Sequence, residues 1–255
     1  VAAVKRLGLV DGKSDAAVSG AQKQTDEAFG FKWAKRETYE SEASKANMRR
    51  WLIERYCDND PARLSNWLAG SRKIILDAGC GAGFSGLLFF GDTLRDHDYL
   101  GVDISSAVDV ARERFREIDM PGDFLRADIS NLDIPDSSVD MVFSEGVLHH
   151  TDSTERTLKH LARKLVPGGR FLFYVYRKKA LIREFTDDAI REALKRLTDE
   201  EAWEALKPLT RLGIALGELG RQIDIAEPIP LLGIESGKLD IQRFFYWNIC
   251  KAYYR

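Results

Sequence analysis

Between residues 74 and 176, short apolar runs alternate with stretches of helical period. Ile74, Ile75, Leu76 and Ala78, interrupted by Asp77, predict a buried strand over 74–78. Further strands are predicted over 99–103, 123–127, 139–144 and 170–176. Between them, Leu87, Leu88 and Phe90 mark a helix over 85–94, Val108, Ala111, Phe115 and Ile118 mark a second with Ser105 or Ser106 as its cap, and residues 154–165 form a third. Strands that alternate with helices predict a parallel sheet covered on both faces, because parallel neighbours need crossover connections. The fold class is therefore α/β, a doubly wound Rossmann-like sheet.

The flanks follow other patterns. Residues 1–28, rich in Ala, Ser, Gly, Asp and Lys with weak period, are expected to be a mobile arm with at most a marginal helix. Residues 29–70 predict a helical cap. It opens on Phe29-Gly30-Phe31-Lys32-Trp33 and continues in a helix over 42–56 with Met48, Trp51, Leu52 and Tyr56 as its stripe. Asp60-Pro61 then starts a short helix that turns Leu64, Trp67 and Leu68 inward and stops at Gly70. Residues 71–179 are the core, and 180–255 read as helix only, a lid or insertion. There, Thr198 and Glu201 form a capping box, Pro208 is expected to end or kink the helix, another helix covers 209–223, and Glu227-Pro228-Ile229-Pro230 is a turn or extended link to a last helix over 240–254. A closing pair of strands is not visible in this pattern. Either the chain in this form is incomplete, or those strands lie hidden in stretches such as 223–234.

Charge changes this picture little. With 38 basic and 40 acidic residues among 255, the net charge of −2 offers no field to gather nucleic acid. The clusters Arg49-Arg50 and Arg177-Lys178-Lys179 read as solvated element ends. No apolar run approaches the roughly 20 residues of a membrane span. Three cysteines, widely spaced and odd in number, argue against a disulfide framework or zinc ribbon, so a reducing, cytoplasmic setting is expected. The start at Val1 shows no basic-then-apolar leader, although a chain without an initiator Met leaves open what precedes it.

The chemistry is concentrated where the first strand ends. Two glycine frames overlap there. Gly81-x-Gly83-x-x-Gly86 fits a dinucleotide loop, whereas Asp77-x-Gly79-x-Gly81-x-Gly83 uses the glycine nearest the strand. Asp77 at the strand tip sets a carboxylate beside any bound pyrophosphate, an unfavourable pairing in a low-dielectric cleft. It suits a ligand without phosphate that carries ammonium and sulfonium charges.

In these residues the chain resembles the class I S-adenosylmethionine-dependent methyltransferases, in particular the bacterial type 11-like group. The resemblance rests on Asp77-Ala78-Gly79-Cys80-Gly81-Ala82-Gly83, on Gly101-Val102-Asp103-Ile104-Ser105, and on Ala127-Asp128-Ile129. It continues with Asp136-Ser137-Ser138-Val139-Asp140-Met141-Val142 leading to His149-His150, and with Leu165-Val166-Pro167-Gly168-Gly169, all in linear order. It implies S-adenosyl-L-methionine as cofactor, held by Asp77, Ala78, Gly79, Cys80, Gly81, Gly83, Asp103, Ile104, Asp128, Ile129 and Ser144. Within this set, Asp103, 24 residues beyond Gly79, would take the ribose hydroxyls, as an acid after the second strand does in related folds. Asp128 would take the adenine amino group, the Ile129 N–H a ring nitrogen, and Asp77 and Gly79 the methionine portion, with Ser144 below the sulfonium.

Methyl transfer is an in-line displacement in which orientation and exclusion of water can supply much of the acceleration. His149 and His150 are the candidate general bases, and packing of their loop is the competing reading. The Asn-Pro-Pro-aromatic signature of amide and exocyclic-amine methylation is absent after Ser144, where Glu145-Gly146-Val147 stands instead. A small-molecule acceptor is therefore expected, a carbohydrate or a natural-product intermediate. Trp33 and Tyr39 on one side, and Arg243 and Tyr246 on the other, are candidate acceptor contacts. The aromatic run at 244–247 fits core packing, a ligand wall or a second subunit, which makes a homodimer one expected state. The alternatives are an NAD-type oxidoreductase using the other glycine frame and a non-catalytic methyltransferase-fold partner protein.

Overall fold

The computed structural model describes residues 2–9, 40–176 and 181–250. The chain divides into two compact units, Val1–Tyr176 and Arg177–Arg255.

In the first unit, five strands form one sheet. They are β1 (Ile74–Ala78), β2 (Asp98–Asp103), β3 (Asp123–Arg126), β4 (Val139–Glu145) and β5 (Leu165–Tyr174). All pairings are parallel and the order is β3-β2-β1-β4-β5. The chain runs outward from β1 on one side, then returns to add β4 on the other, and the point of reversal opens a crevice at the carboxyl ends of β1 and β4. β1 is buried along its whole length. Strand alternation divides it between two cores. Ile74, Leu76 and Ala78 face a cluster with Leu100, Val102, Ile129, Leu148 and Leu161. Ile75 faces a second cluster with Leu52, Phe89, Phe90, Tyr99, Phe115 and Phe143.

The helices cover these cores. α1 (Ala2–Arg6), α2 (Glu42–Cys57) and α3 (Ala62–Leu68) precede the sheet, while α4 (Phe84–Phe90), α5 (Ala107–Glu117) and α6 (Thr154–Lys164) connect its strands. A 3₁₀ turn over Gly91–Asp96 extends α4 to β2. α1 corrects the expectation of a mobile arm for residues 2–9. Ala3 and Leu7 are buried in the first core, the Val4 N–H donates to Asp123 Oδ2 at 3.0 Å, and Arg6 pairs with Asp98 at 2.5 Å. Asp98 itself is buried. Burial pushes its carboxyl upward, but Arg72 and Arg6 outweigh that and hold it below the ordinary value. A five-residue helix with so little intrinsic stability persists because tertiary contacts hold it.

Two further expectations need correction here. The stripe of α2 runs through Met48, Leu52, Tyr56 and Cys57, while Trp51 is half exposed. β5 starts at Leu165, five residues before the predicted strand, because Leu165 already pairs with Val139 before the Pro167-Gly168-Gly169 irregularity.

The second unit contains α7 (Leu181–Leu194), α8 (Asp199–Glu218), β6 (Gln222–Ile225), β7 (Gly237–Asp240) and α9 (Ile241–Asn248). Thr198 and Glu201 form the predicted capping box. Pro208 does not end α8, since its missing N–H removes one bond from the ladder of a 20-residue helix. Nor is this region only helical. β6 and β7 pair antiparallel as a separate two-stranded sheet, β6 at the start of the stretch 223–234 suspected of hiding strands and β7 beyond its end. Each is four residues long and largely exposed, too short for its alternation to stand out. Arg183 is buried in this unit between the Asp187 carboxylate at 2.8 Å and the carbonyl of Tyr246. Among the described residues no helix is long and apolar enough to cross a membrane.

The contrast on α2 is directly measurable. Leu52→Ala should cost about 2–5 kcal/mol in denaturant unfolding, whereas Trp51→Ala should cost about 1 kcal/mol or less.

Candidate active site

The carboxyl ends of β1, β2 and β4 surround a cleft. Asp77 follows Ile75 onto the second core face, where it is 2% exposed and accepts a hydrogen bond from the Tyr99 hydroxyl at 2.5 Å. α4 crosses directly over this pair. A Cβ on Gly86 would lie 2.5 Å from the Tyr99 oxygen and 2.6 Å from Asp77 Oδ2, so the helix can approach only as glycine. Gly86 is thus explained by packing, which removes the third glycine from the dinucleotide frame.

The loop after β1 is pinned to its neighbours. The N–H groups of Gly79 and Cys80 both donate to the Val102 carbonyl, at 2.7 and 3.0 Å. Gly79 has φ +86°, and a Cβ there would lie 2.2 Å from Val147 Cγ1. Turn and close approach both require glycine. The Gly81 N–H donates to Asp103 Oδ2 at 2.8 Å, and Asp103 Oδ1 accepts from the Ser105 N–H and hydroxyl at 2.8 and 2.6 Å. Asp128 caps the single turn Ile129–Asn131 and accepts from the Ser130 N–H and hydroxyl, both at 2.8 Å. Both carboxylates are therefore oriented by the chain.

Of the residues singled out from the sequence, Asp77, Gly79, Cys80, Gly81, Asp103, Ile104, Asp128, Ile129 and His150 line the cleft. The others sit elsewhere. Ser144 is fully buried beneath the cleft and donates to the Ala78 carbonyl at 2.8 Å, joining β4 to β1. Gly83 lies against Phe115 and Ala111 of α5. The His149 ring lies against those of His150 and Tyr176 in tilted contacts, at centroid distances of 4.1 and 4.2 Å. Arg243 and Tyr246 belong to α9 of the second unit, where the Arg243 N–H donates to Asp240 and the Tyr246 ring lies 5.0 Å from the Arg183 guanidinium. Trp33 and Tyr39 fall outside the described residues.

Sequence reasoning passed over the fourth wall, formed by Glu145, Gly146, Val147 and Thr151, together with Ser85. Glu145 ends β4, and two residues of α2 hold it: Tyr56 donates to Oε2 at 2.5 Å and Arg55 pairs with Oε1. Burial first, then the Glu145 carboxylate, keeps the Tyr56 phenol far above its usual range, so it remains a donor. The sequence signal for Glu145 was its place at the tip of β4, beside the central strand, where a side chain must meet the crevice.

Electrostatically the cleft is one-sided. Four carboxylates line it, from Asp77, Asp103, Asp128 and Glu145, and among the described residues no Lys or Arg does. Burial drives the Asp77 carboxyl up to about 7; the Tyr99 hydrogen bond opposes this, and Asp103 and Glu145 add to it. Burial, with Asp77 next, also raises the Cys80 thiol.

With this geometry in hand, residues 76–173 match the family model described as a methyltransferase domain. The chain is 32% identical to a phthiotriol/phenolphthiotriol dimycocerosates methyltransferase of Mycobacterium ulcerans over 51% of its own length and 48% of that protein's. It is 33% identical to a probable tRNA methyltransferase 9B of Bos taurus over 44% of its length and 23% of that protein's. The chain thus spans about half the length, or less, of these curated relatives. A geranyl diphosphate C-methyltransferase from Streptomyces coelicolor A3(2), solved with S-adenosyl-L-homocysteine, aligns at 17% identity and a TM-score of 0.43, covering 63% of this chain and 66% of its own.

The buried acid gives the fold a pH signature. Folded Asp77 keeps its proton up to about pH 7, while in the unfolded chain it is lost near the ordinary 3.8. Stability should therefore fall as pH rises from about 4 to about 7 and then level off. Asp77→Asn should remove this contribution, so that in thermal unfolding the variant gains on the wild type with increasing pH.

Proposed function

We propose that residues 76–173, which match the methyltransferase-domain model, act as a class I S-adenosylmethionine-dependent methyltransferase domain and that the chain methylates a small-molecule acceptor. The observation that carries this reading is the anionic cleft with a buried acid at its centre. The residues present fit the cofactor, since an ammonium and a sulfonium are attracted where a pyrophosphate is repelled. They also raise the ionised fraction of Asp77, because an adjacent positive charge favours the charged carboxylate.

When bound, S-adenosylmethionine supplies a methyl group on a positively charged sulfur. The chain's own part is to bind and orient. In this reading Asp103 accepts from the ribose hydroxyls, Asp128 accepts from the adenine amino group, the Ile129 N–H donates to the ring, and Asp77 with the Gly79 backbone holds the methionine end. These assignments follow the sheet order: the residues that would hold the adenine lie at β3, those for the ribose at β2 and those for the methionine portion at β1, with Glu145 and Gly146 at the end of β4 beyond them. Of the two histidines, His150 has the cleft exposure a general base needs, and His149 lies against its ring. The relative named for phthiotriol dimycocerosates favours a lipid or natural-product acceptor.

Calorimetry with S-adenosylmethionine, S-adenosylhomocysteine and NAD tests the donor. Both sulfur ligands should bind and NAD should not, and Asp103→Ala should weaken binding about tenfold or more, the scale of a hydrogen bond to a charged group. Gly79→Ala should abolish binding, as its new methyl group meets Val147. Binding of NAD alone would sink the reading. Methyl-labelled donor, offered with an apolar metabolite extract or with tRNA, tests the acceptor. Label found only in tRNA would overturn the small-molecule assignment.

A further inference from the structure

Glu145 is the cleft carboxylate with the most elaborate support. Its side chain is 10% exposed, and its two oxygens are divided between Arg55 and Tyr56. The Arg55 guanidinium in turn lies 3.8 Å from the ring centroid of Tyr174, the residue paired with Glu145 across β4 and β5. A charged partner, a neutral donor and an aromatic face thus fix the carboxylate from behind. Two of its roughly four acceptor sites remain for the cleft side. Gly146 follows with no side chain to close that space, and a Cβ there would come within 3.5 Å of the Tyr176 hydroxyl. The result is a fixed hydrogen-bond acceptor on the cleft wall, beside a glycine whose α-carbon faces the phenolic end of Tyr176. Because Arg55 balances its charge, Glu145 suits a neutral donor such as a hydroxyl.

We propose that Glu145 is a specificity-determining residue for the acceptor: it receives a hydrogen bond from an acceptor hydroxyl carried on an aromatic or apolar body that lies against Tyr176. This rests on the methyltransferase reading above. It requires of the acceptor a free O–H beside an apolar surface, so the corresponding methyl ether, which has lost that hydrogen, is bound less well. Discrimination between substrate and product is then built into the acceptor side of the cleft. A site that hydrogen-bonds a substrate hydroxyl rejects an analogue lacking it, since its own polar group is left without a partner.

The test uses the chain saturated with S-adenosylhomocysteine and two probes, 4-butylphenol and its methyl ether, titrated by calorimetry. The wild type should bind the phenol about tenfold more tightly than the ether. Glu145→Leu, itself saturated with S-adenosylhomocysteine, should erase that preference, because the hydroxyl then has no acceptor to meet. Tyr56→Phe, a milder change, should lower the preference without changing net charge, which keeps the test decisive even if Glu145→Leu fails to fold. A preference that survives both changes, or a phenol that does not bind at all, would overturn the proposal while leaving the donor reading intact. Failure of the wild type to bind S-adenosylhomocysteine would overturn both.

Discussion

The hydrogen bond from Tyr99 to Asp77 is the constraint on which the donor side depends. β1 lies between β2 and β4, so its final acid cannot turn away to solvent and must be accommodated where it stands. One hydroxyl is a modest counterpart for a buried carboxylate, which is why the group is held so far towards its neutral form. The arrangement dictates glycine at 86, where α4 passes over the pair, and among the described residues no Lys or Arg lines the crevice.

The glycine loop is also braced from outside. Arg114 of α5 is buried, bonds the Ala82 carbonyl, pairs with Glu40 and lies 5.5 Å from the Phe84 ring centroid. The loop is therefore caught between β2, through Val102, and α5, through Arg114. Such bracing lowers the conformational cost of binding, because the backbone is already near the shape a ligand needs.

What could be read from the sequence was local. Ile74 to Ala78 carries its own strand signal, the glycines carry their turn, and Asp103 and Asp128 each follow a short apolar run, so much of the cleft lining could be assembled on paper. What could not be read depends on partners far along the chain. Glu145 takes its character from Arg55 and Tyr56, some 90 residues earlier, and nothing near it announces that pairing. Leu52 rather than Trp51 faces inward because the whole helix is rotated by its contacts with Phe89 and Phe143 of the core. α1 exists only because Asp98 and Asp123 on neighbouring strands receive it.

The irregularity in β5 has a geometric consequence of its own. While β4 advances from Val139 to Met141, β5 advances from Leu165 to Arg170, so an odd number of residues is absorbed before regular pairing resumes. Strand side chains alternate, and an odd offset sets the phase of everything downstream. It is this phase that brings Tyr174 level with Glu145 and under the Arg55 guanidinium. Pro167, Gly168 and Gly169 thus act as a phase adjuster at the far end of the strand, and the aromatic neighbour that Arg55 and Glu145 meet depends on how many residues that stretch contains.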